Sequence, residues 1–116
     1  MSIKQHPSLE ALTPPPVLPW GKVEPEGKTS DVVRFVLADR TVSLPASEFK
    51  RWELVAGDPE RLTITTEKDT MALEGKALAE IRDALDKSRL VEVRVNGNRP
   101  TSRPGPVVRA ITIEPA

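Results

Sequence analysis

The sequence predicts a small α+β domain. Its expected core is a mostly antiparallel sheet, strongly bent or closed into a partly open barrel, with one helix packed on it. Three observations carry this reading. Only Gly75–Ser88 has a clean helical period, and short strand-like runs flank it on both sides. Proline is distributed unevenly: six of the 12 fall in residues 1–30 and four in 99–116. Proline fixes φ and lacks an N–H, so this pattern separates two irregular ends from an ordered middle. A length of 116 residues suits one domain.

Residues 1–30 contain Pro14-Pro15-Pro16-Val17-Leu18-Pro19-Trp20, followed by a Gly/Glu/Lys/Pro stretch. They are expected to form a flexible, polyproline-type arm, with order beginning near Asp31. The remaining residues, 31–116, are expected to form the domain. Val32–Leu37 is a mostly apolar strand, and Thr41–Leu44 alternates behind the turn at Asp39-Arg40. Together they predict a hairpin. Between Pro45 and Trp52, Ser47 can cap one helical turn that places Phe49 and Trp52 on one face. Trp52–Val55 extends again, up to the turn signal Gly57-Asp58-Pro59.

Arg61–Thr66 alternates with Leu62 and Ile64 inward, and Thr70–Leu73 with Met71 and Leu73 inward. These segments predict a second hairpin. Gly75 is expected to open the helix, whose stripe is Leu78, Ile81 and Leu85. Leu90–Val95 then alternates without a fault, and Asn96-Gly97 is a strong turn pair. A Pro/Arg-rich loop covers 96–106. Val107–Glu114 returns to strand character.

The totals restrict the chemistry. Lys+Arg and Asp+Glu are both 17, so no bulk electrostatic partner is implied. There is no cysteine, which removes disulfides, thiolate metal sites and thiol nucleophiles. The single histidine, His6, lies in the expected arm, where a general base would not be held. Glu80, Asp83 and Asp86 share part of a helix face, which is the usual solvated side of an amphipathic helix. Gly75-Lys76 at a helix start resembles an anion site, but Thr70 and Ala77 stand where a P-loop needs Gly and Ser or Thr. The expectation is therefore no catalytic residue, no metal and no cofactor. With no long apolar run and no signal-like leader, the protein is expected to be cytoplasmic, with no membrane partner.

Two regions remain as candidates for partner binding. In the arm, Leu18 lies within the P-x-x-P pattern Pro16 to Pro19 and Trp20 follows it; Trp20 anchors in a partner's groove, folds back onto its own domain or is simply disordered. At the other end, Val107, Arg109 and Ile111 lie on a terminal strand that can form a sheet edge. Charge supplies the alternative. Residues 31–86 have a net charge of −4 and 87–116 a net of +4. Arg94, Arg99, Arg103 and Arg109 could therefore contact nucleic acid, although no aromatic residue is interleaved for stacking. The leading expectation is a non-enzymatic interaction or scaffolding module, self-associating in its simplest version. A nucleic-acid-associated protein is the alternative.

Overall fold

The computed structural model describes residues 17–97 and 105–115. The strands are β1 (Val17–Leu18), β2 (Gly21–Val23), β3 (Val32–Val36), β4 (Thr41–Pro45), β5 (Arg51–Val55), β6 (Glu60–Thr65), β7 (Asp69–Lys76), β8 (Leu90–Arg94) and β9 (Val107–Pro115). A 3-10 turn at Ala46–Glu48 links β4 to β5, and one helix, α1 (Ala79–Asp86), separates β7 from β8.

Both expected hairpins form. β3 pairs with β4, from Val32 opposite Pro45 to Val36 opposite Thr41. β6 pairs with β7, from Glu60 opposite Gly75 to Thr65 opposite Thr70. Alternation explains both, because Val33, Phe35, Leu62, Ile64, Met71 and Leu73 all point into the core and are buried.

The strands do not make one bent sheet or a barrel. They make two open sheets, a five-stranded one ordered β1-β2-β8-β3-β4 and a four-stranded one ordered β5-β6-β7-β9. β8 runs parallel to β3, and every other pairing is antiparallel. A parallel pair needs a long crossover; here it comprises β4 to β7 and α1. The core fills the space between the two sheets and the helix, with Ile81 and Leu85 from α1 in one buried cluster with Leu90, Val93 and Val108.

The helix is shorter than its sequence period implies. Gly75 does not open it but lies in β7, next to a bulge opposite Val108. A Cβ at Gly75 would collide with the Val107 carbonyl oxygen, so glycine is required for the close approach of β9. Lys76 is the exposed end of β7, and Ala77 turns the chain with φ of 56°. The Leu78 N–H donates to Glu60 Oε1 at 2.9 Å, so a side chain from β6 satisfies a donor at the helix start. The anion-site resemblance at Gly75-Lys76 is thereby corrected: neither residue belongs to the helix.

The arm is also shorter than expected. β2 pairs antiparallel with β8, placing Gly21 opposite Val93 and Lys22 opposite Glu92. Trp20, in the turn before it, is only 2% exposed. Residues from Val17 to Ser30 therefore belong to the folded body, tied down by the Glu24 N–H to Arg89 carbonyl bond at 2.7 Å and the Ser30 N–H to Ser88 carbonyl bond at 2.8 Å. The physical reason is the indole, whose large apolar area finds its burial on the sheet behind it. His6 and Pro14 to Pro16 lie outside the described residues.

Candidate interaction surfaces

β9 lies at the edge of the four-stranded sheet and bonds only to β7 within it. Its first residues are held from the other side. The Asn96 and Gly97 N–H groups donate to the Val108 carbonyl at 2.9 and 3.1 Å, and the Val108 N–H donates to Asn96 Oδ1 at 2.6 Å. The Asn96-Gly97 turn thus caps the start of the edge. Among the described residues, Ala110 to Glu114 make no backbone hydrogen bond beyond those to β7.

The expected partner-binding residues separate in the structure. Val107 is half-buried, Arg109 exposed, and Ile111 is turned inward at 9% exposure, all on β9. Leu18 is half-buried in β1 and Trp20 is in the core, so neither shares a surface with β9. Of Trp20's three readings, the fold-back is the one adopted. Trp52 and Phe49 also pack against the core, both half-buried; the Trp52 Nε1–H donates to Asp86 Oδ1 at 2.7 Å.

The basic residues separate as well. Arg99 and Arg103 lie outside the described residues. Arg109 lies on β9, its stem across Gly97, where an added Cβ would sit 3.0 Å from Arg109 Cγ. Arg94 is on the other sheet, its guanidinium hydrogen-bonded to Glu92. Glu92 is almost fully buried and also faces Arg34, whose Nη1 is 3.9 Å from Glu92 Oε1. The residues grouped with Arg94 by the fold are therefore Arg34 and Lys22, from the two strands beside β8.

A cleft of about 380 Å³ lies between the β1–β2 region and α1, lined by Leu18, Val23, Ala84, Glu80, Asp83 and Lys87, among others. Its rim mixes both signs of charge, which selects no one class of ligand. Among the described residues no group of three or more His, Asp or Glu side chains could hold a metal ion, and no helix is long and apolar enough to cross a membrane.

No family model, curated protein or solved structure matches the chain significantly. The surfaces must therefore be read from their own chemistry. Two are defined by geometry: the free edge of β9, and the cationic face around Glu92. The first was signalled by a terminal alternating strand. The second was not, because Lys22, Arg34 and Arg94 are distant in sequence and meet only through strand order.

Proposed function

We propose that this protein is a non-enzymatic interaction module whose working element is the free edge of β9, and that its first partner is a second copy of itself. The supporting observation is the contrast between β9 and the other sheet edges. β1 has two residues, β4 ends in Pro45, and β5 carries Arg51 and Glu53 within five residues. Short length, proline and charge are the devices that blunt an edge. β9 is nine residues long; Arg109, Glu114 and Pro115 stand towards its ends, and only its centre, Ala110-Ile111-Thr112-Ile113, has neither charge nor proline.

Pairing of two such edges follows the rules for a two-fold interface. Residues opposite one another must share a face, so an axis through Thr112 suits the pattern. Ile111 then lies against Ile113 of the second copy, and two four-stranded sheets become one of eight strands.

Light scattering over a wide concentration range tests this. The dimer fraction should rise with concentration. Thr112→Lys should abolish it while leaving the circular dichroism spectrum unchanged, since Thr112 is exposed and two like charges would face each other across the axis. A strict monomer at every concentration would overturn the proposal, as would a dimer insensitive to Thr112→Lys.

A further inference from the structure

The five-stranded sheet has an excess of positive charge on its outer face. Its strands carry three cationic residues, Lys22, Arg34 and Arg94, and one acidic residue, Glu92. All four cluster. Lys22 is the cross-strand partner of Glu92 on one side and Arg34 on the other, while Arg94 follows two residues along β8. Neighbouring strands are about 4.8 Å apart, so Lys22 and Arg34 stand roughly 10 Å from each other across the carboxylate.

The other sheet shows what balance looks like. Arg51 pairs with Glu53, and Arg61 with Glu74, each at 3.5 Å. On the five-stranded sheet, Arg34 and Arg94 share one carboxylate. Glu92 has a side chain only 7% exposed, so it acts as a fixed pin between the two guanidiniums. Arg34 is 52% exposed and contacts Glu92 only loosely, so among the described residues most of its five donors have no acceptor. Arg94 Nε is shut off from water and has no hydrogen-bond acceptor among the described residues.

We infer that Lys22, Arg34 and Arg94 form an anion-binding site on the outer face of the five-stranded sheet, with Glu92 as positioning residue, and that the ligand is a phosphate group. The two unmatched positive charges fit a dianion. Planar guanidiniums suit phosphate oxygens, and the Lys22 ammonium adds a point charge. Ser43, opposite Arg34 on β4, can donate a further hydroxyl from the same face. This site is independent of the β9 edge, since it lies on the other sheet.

The test is titration of the full chain with inorganic phosphate and, separately, with phosphoserine, followed through arginine Nε–H resonances at constant ionic strength. The signals of Arg34 and Arg94 should shift and saturate. Arg34→Gln and Lys22→Gln should each weaken binding about tenfold, the order expected for one charge-assisted contact. Arg51→Gln, an exposed change on the other sheet, should leave it unaltered. Equal affinity for both probes assigns the site to the phosphate group alone, and tighter phosphoserine binding assigns it to a phosphomonoester. Absence of saturation with both probes overturns the inference, as does equal affinity in Arg34→Gln and the parent.

Discussion

Trp20 shows most clearly what one residue decides. Its sequence context allowed an anchor in a partner's groove, a fold-back or disorder, and composition did not choose among them. Its burial does: the indole is 2% exposed, and the Trp20 carbonyl accepts the Arg94 N–H at 2.8 Å. Gly21 follows with no room for a side chain, since a Cβ there would collide with the Glu92 carbonyl. Side chain and glycine together let β2 lie close along β8. Trp20→Ala should cost about 3–5 kcal/mol by leaving a large cavity, a big share of a typical total of about 5–15 kcal/mol. Urea unfolding would measure it. A loss below about 1 kcal/mol would contradict a core role for Trp20.

The ends of α1 expose the limit of periodicity. Leu78, Ile81 and Leu85 are all in the core, so the stripe was legible. The boundaries were not, because Gly75 serves strand approach and not helix initiation. At the far end Ser88 has φ of 57°, the Ser88 N–H donates to the Leu85 carbonyl at 3.0 Å and the Arg89 N–H to the Ala84 carbonyl at 2.8 Å. That is the Schellman ending, which normally uses glycine. Ser88→Gly should therefore stabilise the protein, by about 0.5–1 kcal/mol after the extra entropy of an unfolded glycine is subtracted. A raised midpoint in thermal or urea unfolding would support this cap. A lowered one would contradict it. β1 and β2, at two and three residues, were too short to read as alternation. Their pairing is set by β8, which no local pattern can announce.

At the scale of the molecule, the sequence supplied strands but not their partners. Local hairpins were legible, since β3–β4 and β6–β7 are adjacent in the chain and each buries one face. The parallel β3–β8 pair and the division into two sheets were not, because both depend on contacts between distant segments. The same distinction governs the candidate surfaces. β9 showed its strand character in Val107–Glu114, while its edge position depends on pairing with β7 alone in its sheet, which chain order does not dictate. The cationic face was hidden: charge summed along the chain placed the excess after residue 86, whereas the fold gathers Lys22 and Arg34 beside Arg94. Two of the arginines in that sum, Arg99 and Arg103, fall outside the described residues.

The central claim is that β9 is an edge waiting for a strand. Amide hydrogen exchange in β9, measured at a low and a high protein concentration, tests it most directly. Antiparallel pairing gives new bonds to alternate residues, so N–H groups of Ala110 to Glu114 that face away from β7 should gain protection as concentration rises. Those of β5, the opposite edge of the same sheet, should not change. Equal exchange in β9 at both concentrations, or a gain confined to β5, would contradict the account.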